Sequence, residues 1–338
     1  MTQNSDLAHK AFEPVAEALQ SGQLPGAALG VVDESGDRQV LFGGSATLVP
    51  EPEPEPLKRE TYFDLASLTK VMATTTAVMS LVESGAIELD KPISDYLPDM
   101  NQVQTEAPAR SCSVRSLLSH QSGLPAWAPL YTLGSSPATL KAYVLQHLWT
   151  LGTPVYSDIN FILLGILVER LANLGIPDAI DGPGLSIGAP SRHCAATEHC
   201  TWRERLIRGE VHDENAYALG GFAGHAGLFG TIDGVLDFAH RLMTGAILSA
   251  AVLTEMRKPV SAERALGWQV AHEGWSGGST CSRETIGHTG FTGTGLWIDW
   301  ENGRAWALLT NRVHPSRHQK TPIVELRKAV GDIMGMAS

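Results

Sequence analysis

The chain lacks any apolar run approaching the roughly 18 residues needed to cross a bilayer. It opens on Met1-Thr2-Gln3-Asn4-Ser5-Asp6, with no basic stretch leading into an apolar one, so no secretory signal is read and a cytoplasmic location is expected. Cysteine is scarce: Cys112, Cys194, Cys200 and Cys281 in 338 residues do not make a disulfide framework, which points to a reducing compartment. Positive charge is short as well, with 25 Lys plus Arg against 36 Asp plus Glu and a net charge of −11. Without a concentrated basic face, nucleic acid is excluded as the default partner. What is present is 43% apolar and 18% charged residues, which excludes a disordered or fibrous chain. The length is about twice that of a common single domain, ample for a real core.

Local pattern supplies the elements. Leu7 to Leu19 reads as a helix that Pro14 kinks or restarts near Glu13, because proline removes a donor and clashes one turn back. Ala27–Val32 and Gln39–Phe42, around an Asp/Ser/Gly turn, read as a β-hairpin. Pro50 to Pro56 alternates Pro with Glu and is expected to be an extended loop outside any sheet. Helices are predicted over Ser67–Ser84, with Val71, Thr75, Val78, Met79 and Val82 on one stripe, and over 113–119, 138–149, 159–174 and 233–243. No comparable strand pattern appears between residues 90 and 255. Leu266–Val270 then reads as a strand, and Asn302-Gly303 between Leu296–Trp300 and Arg304–Leu309 is a strong hairpin signal, since both residues tolerate positive φ. A helix from Pro322 to about Met334 closes the chain. Strands at both ends with helices between them predict one sheet built from both termini.

Three motifs carry chemistry. In Ser67-Leu68-Thr69-Lys70 the serine and lysine stand three residues apart, on one face of a helix. An amine there can share a proton with a hydroxyl that is otherwise a weak nucleophile, and a helix N-terminus favours developing negative charge. An isolated match of this kind is more often a capping serine beside a solvated lysine. Tyr156-Ser157-Asp158 precedes a helix; a packed tyrosine and a capping aspartate account for the aspartate only. His288-Thr289-Gly290-Phe291-Thr292-Gly293 precedes a strand, where small residues allow a substrate backbone to approach an edge; otherwise it is a turn.

In this order the three motifs resemble those of the serine β-lactamase and penicillin-binding-protein superfamily, in particular its class C, carboxypeptidase and esterase branch. Leu117-Leu118-Ser119-His120-Gln121-Ser122-Gly123-Leu124-Pro125, the segment 209–216 and Gly224-His225-Ala226-Gly227-Leu228-Phe229-Gly230 are similar to further segments of related hydrolases. The resemblance implies an α/β fold with a mainly antiparallel sheet flanked by terminal helices and an inserted all-helical lobe. It treats residues 1–338 as a single domain, with 1–66 plus 256–338 forming one lobe and 67–255 the other. It implies a serine hydrolase that needs no cofactor and acts through an acyl-enzyme on a small ester, amide or lactam. Ser67 would be the nucleophile, Lys70 would shuttle its proton and Tyr156 would serve as general base. The N–H groups of Ser67 and Phe291 would form the oxyanion hole, and Asp158, His288, Thr289 and Gly290 would face the substrate.

Two positions depart from the pattern. Asp158 stands where Asn is usual, and an ionised Asp only accepts hydrogen bonds and favours a charged Lys70. His288 stands where many relatives have Lys, which removes a fixed positive charge. Two other readings stay open: acyl transfer from the same site, and a catalytically idle ligand-binding relative. His193, Cys194, His199 and Cys200, with His212 and Asp213 downstream, offer zinc-type ligands, but the spacing matches no standard finger and no metal is assigned. His225 and His120 read first as loop-holding residues, and the eight tryptophans are assigned no binding role.

Overall fold

The computed structural model describes residues 3–49, 54–134, 136–172 and 182–336. In chain order its elements begin with α1 (Gln3–Gln20), β1 (Gly26–Asp33), β2 (Arg38–Thr47), β3 (Glu55–Pro56) and β4 (Phe63–Asp64). A wide π-turn (Lys70–Thr75) leads into α2 (Thr76–Glu83), followed by α3 (Val114–Leu118), α4 (Pro137–Gln146) and α5 (Asp158–Leu171). Then come β5 (Leu185–Ile187), β6 (His199–Cys200), β7 (Arg205–Leu206), α6 (Glu214–Ala218), β8 (Leu228–Gly230), α7 (Ile232–Met243) and α8 (Ala250–Arg257). The chain finishes with β9 (Gln269–Val270), β10 (Thr285–Thr289), β11 (Gly295–Asp299), β12 (Arg304–Thr310) and α9 (Ile323–Gly335). None of the described helices is long and apolar enough to cross a membrane.

The main sheet runs β3-β2-β1-β12-β11-β10-β9, with every adjacent pair antiparallel. Both ends of the chain therefore meet at its centre, where β1 lies against β12 with Leu29 opposite Leu308. Alternate side chains of β1 serve opposite faces. Ala27, Leu29 and Val31 join Ala8, Ala11 and Val15 of α1, Val330 and Met334 of α9, and the stacked pair Trp297–Trp306. Ala28 and Val32 join the larger core that holds α7, α5 and α2. A sheet covered on both faces explains why its strands read as continuous apolar runs.

The structure corrects four expectations. Helix α1 continues through Pro14. The ring forfeits one backbone bond on a partly exposed stripe, while Ala8, Ala11, Val15 and Ala18 keep the opposite stripe buried. Glu55–Pro56 do enter the sheet, pairing with Ser45 and Thr47 as an edge strand, where a missing donor can face outward; residues 50–53 lie outside the described residues. The 266–270 strand shortens to Gln269–Val270, because Gly267 turns the chain at φ +81° and donates to Leu118 O. The inserted region is not all-helical: β4-β8-β5 form a small sheet and β6-β7 a hairpin. Strands of two or three residues are too short to show an alternating pattern. The predicted helix over 159–174 is α5, and residues 173 and 174 lie outside the described residues.

Candidate active site

Ser67 is set by the strand before it and the strand it pairs with. Phe63 and Asp64 pair with Gly230 and Phe229 of β8, and Leu65 donates to Leu228 O at 2.9 Å. The buried Asp64 carboxylate accepts the N–H of Ala66 at 2.8 Å and that of His212 at 2.6 Å. The first of these bonds lets Ala66 sit at φ +47°, a strained conformation for a residue with a Cβ. That turn delivers Ser67 to the start of the helical segment. Lys70 opens the π-turn, in which Thr76 Oγ1 donates to Val71 O at 3.0 Å, and its side chain is fully buried.

The Lys70 ammonium makes three close contacts. It donates to Ser67 Oγ at 2.9 Å and to the His225 carbonyl at 3.1 Å, and pairs with Asp158 Oδ1 at 2.8 Å. It also lies 5.1 Å from the ring centroid of Tyr156. Burial works against its charge, but Asp158 and Tyr156 outweigh burial and raise its pKa above the usual lysine range. The lysine beside Ser67 is thus an ammonium, held so by the residue that departs from the expected Asn.

Tyr156 and Asp158 are carried by the loop before α5. Ser157 caps that helix and donates its hydroxyl to Pro125 O at 2.6 Å, while its N–H donates to His120 Nδ1 at 3.0 Å. Asp158 N–H donates to Ala126 O, and Ser122 Oγ bonds Asn160 Oδ1. The 117–125 segment is therefore the clamp that aims Tyr156 and Asp158. His120 is more than a loop residue, because its ring packs 4.5 Å from that of Tyr156.

The His288–Phe291 turn is tied directly to the strand that carries Ser67. Thr292 Oγ1 donates to Asp64 O at 2.7 Å and Thr294 Oγ1 to Leu65 O at 3.0 Å. The buried Arg327 of α9 donates to Gly290 O at 2.9 Å and Thr294 O at 2.6 Å. Gly290 is required by close approach, since a Cβ there would meet Thr294 Oγ1 and lie 2.5 Å from Leu65 O. Among the described residues, neither the Ser67 nor the Phe291 N–H donates to a protein acceptor.

A cleft of about 450 Å³ is lined by Ser67, Trp127, Tyr156, Asp158, His225 and Phe291, among others. A second compartment of about 250 Å³ shares Ser67, Tyr156 and Phe291 and adds Arg264, Gln269, His288 and Thr289. His288 donates Nδ1–H to Thr289 O at 2.9 Å, which leaves Nε2 bare and buried. Burial first, then Arg264 and Lys70, push its pKa well below the usual histidine range, so it is neutral. The positive charge in this compartment comes instead from Arg264, whose guanidinium lies 5.2 Å over the Tyr156 ring. Its Nη1 is buried without a hydrogen-bond partner, and Tyr156 and the neighbouring Glu263 act on its charge only through space.

Ser67, Tyr156, Asp158, His288, Thr289 and Phe291 line these two compartments; Lys70 lies buried behind them in contact with Ser67 and Asp158, and Gly290, whose carbonyl accepts from Arg327, lines neither. Sequence reasoning missed Arg264, Arg327 and the role of Asp213. Asp213 accepts His225 Nε2–H at 2.8 Å and caps α6, so His225 both holds a loop and lines the cleft. Among the described residues no three His, Cys, Asp or Glu side chains gather as a metal site. In the cluster considered for zinc, His193 Nε2 accepts from Arg192, and Cys200 Sγ accepts the N–H of Arg203.

The sequence profile of the Beta-lactamase family matches residues 12–329. An N-acetylmuramyl-L-alanine amidase of Bacillus subtilis (strain 168) is 30% identical over 321 residues, covering 80% of this chain and 71% of that protein. A putative D-alanyl-D-alanine carboxypeptidase of Salmonella agona (strain SL483) is 29% identical over 305 residues, covering 75% and 70%. The solved class C beta-lactamase from Rhodobacter sphaeroides superposes with a TM-score of 0.71 at 19% identity, covering 97% of this chain and 98% of that one, which shows a shared fold.

Proposed function

This chain is a serine hydrolase of the beta-lactamase family, and from that premise we propose that Ser67 is its nucleophile and that its substrate is an amide or ester carrying a carboxylate near the scissile bond. The observation that carries the reading is the Lys70 ammonium 2.9 Å from Ser67 Oγ, at the junction of two compartments that also share Tyr156.

Ser67 Oγ attacks the substrate carbonyl. The negative oxygen that forms is received by the N–H groups of Ser67 and Phe291, two donors fixed in advance. Lys70 is held charged by Asp158, so it does not take the serine proton in the resting state; it lowers the cost of negative charge on its neighbours. Tyr156 is the base, its ring lying 5.1 Å from the Lys70 ammonium and 5.2 Å from the Arg264 guanidinium. The proton passes from Tyr156 to the leaving amine or alcohol, and water then repeats the sequence on the acyl-enzyme.

Arg264 supports the substrate class. A half-buried guanidinium whose Nη1 is buried without a partner lacks, among the described residues, a carboxylate to pair with, and a substrate carboxylate would supply one. The names of the amidase and carboxypeptidase relatives fit amide substrates of this kind. All four cysteines are free thiols, in keeping with a cytoplasmic site of action as part of the proposal.

The test is a kinetic panel of short neutral esters, the same esters bearing a carboxylate, D-amino-acid dipeptides and β-lactams. The reading requires turnover that vanishes in Ser67→Ala and a higher kcat/KM for carboxylate-bearing members. Turnover that survives in Ser67→Ala would overturn it.

A further inference from the structure

Most aromatic side chains of this protein are buried or half-buried, and the exposed large ones are Phe42, Trp127, Trp202, Tyr217 and Phe291. Four of these five lie at one place. Trp127 and Phe291 line the cleft around Ser67. From Trp127 a line of rings runs outward: Tyr131 at 6.3 Å, Trp202 4.8 Å beyond it, and Tyr217 6.0 Å beyond that. Successive rings are tilted by 48°, 67° and 89°, so none is stacked face to face on the next, and Arg203 covers one face of Tyr217.

The rings are held in place by polar groups bonded within the protein, Arg203 Nε being buried without a partner. Buried Asn215 accepts the N–H of Tyr131 at 3.1 Å and donates to Ala128 O at 2.8 Å, binding the Trp127 loop to α6. Arg203 lies 4.0 Å over the Tyr217 ring while donating to the carbonyls of Val211 and His212. Arg205 is bonded twice to Glu210, and Arg317 to Glu214 and Glu198. The segment 209–216 thus serves as the frame of this surface.

We propose that the line Trp127–Tyr131–Trp202–Tyr217 is a platform for a neutral saccharide attached to the substrate, leading out of the cleft from the scissile bond. Its chemistry selects against other occupants. Arg205 and Arg317 are paired with carboxylates, and Arg203 turns Nη1 and Nη2 to the carbonyls of Val211, His212 and Asp213 while its unpaired Nε is buried away from solvent, so the surface presents no guanidinium edge aimed outward at a phosphate or a carboxylate. Single-stranded nucleic acid also stacks on such rings, but it needs a cationic groove, and this chain carries a net charge of −11. A long aliphatic chain would want a continuous apolar trough, not separate rings with phenol and indole tips. A sugar ring offers an apolar face to each aromatic ring and hydroxyls to those tips. Its rigid mounting limits the ordering cost of binding. The proposal rests on the hydrolase reading, because it takes the cleft at Trp127 as the start of the line.

The probes are chitotetraose, cellotetraose and maltotetraose, titrated into the full chain carrying Ser67→Ala and followed by calorimetry. At least one is expected to bind, with Kd rising tenfold or more in Trp202→Ala and in Tyr217→Ala. Thermal unfolding and circular dichroism matched to the parent show that each variant is folded, and Trp202→Tyr is expected to restore part of the affinity. Failure of all three probes to bind would overturn the platform, as would binding that is unchanged in both alanine variants. Equally tight binding of a sugar-free peptide, lost in the same variants, would assign the surface to peptide and overturn the saccharide. Ester hydrolysis by the unmodified protein is measured separately, so a failed platform with active ester turnover is distinguishable from a failed hydrolase reading.

Discussion

Replacing Asp158 by Asn isolates the residue that sets the charge of Lys70. Lys70 is wholly buried, and of its three close partners only Asp158 is an anion. Removing one member of a buried ion pair costs about 3–5 kcal/mol. Here the side chain of Asp158 is 20% exposed and the Asn oxygen still accepts a hydrogen bond, so about 2–4 kcal/mol is expected at pH 7. The pH dependence follows from the sign of the shift. In the parent the lysine pKa is raised, so its stabilisation is complete below the unfolded lysine value of about 10.4 and is lost only as pH rises through the folded value. In the variant Tyr156 alone opposes burial, the largest single influence, and the folded pKa is expected to drop below the ordinary one. The folded state then sheds its proton before the unfolded state does, so the variant gains stability as pH rises between those two values and its deficit shrinks. Urea unfolding of both proteins from pH 6 to 9.5, at matched m-values, measures this. A deficit under about 0.5 kcal/mol at pH 7, or one that grows on alkalinisation, would refute the reasoning.

Arg264→Met should raise KM for carboxylate-bearing substrates by about 10- to 100-fold relative to neutral ones, the value of a charge-assisted bond, as read from steady-state kinetics on matched esters. Gly224→Ala places a Cβ against Phe161 O and 2.8 Å from Gly165 Cα, pushing back the turn whose carbonyl holds Lys70; denaturant titration should show a loss of about 1–3 kcal/mol. Burial pushes the thiols of Cys112 and Cys194 up to about 11 and about 12, so in the native protein both should resist Ellman's reagent at pH 8, and rapid reaction of either would contradict their placement.

The parts of the fold legible in the sequence are those fixed locally. Asn302-Gly303 announces the β11–β12 hairpin because Gly303 has to adopt φ +57°, and the apolar runs of β1 and β12 announce strands buried on both faces. The pairing of Ser67 with Lys70 follows from three-residue spacing and survives the widening of the turn. What was not legible depends on contacts between distant segments. Pro14 is tolerated because α1 is held by the sheet and α9, and the short strands around β8 exist because β4 and β5 meet there. Arg264 carries no local signal: its meaning comes from facing Tyr156 and His288 across a compartment. Asp158 was legible as a departure, and its consequence, a Lys70 pKa raised in the resting site, emerges only from the 2.8 Å pair.

The most direct test of the account is intact-mass and peptide mapping of the protein after reaction with a fluorophosphonate or a slowly deacylated ester. The account predicts one adduct, on Ser67, abolished by Ser67→Ala. An adduct on any other side chain, or undiminished labelling of the alanine variant, would contradict it.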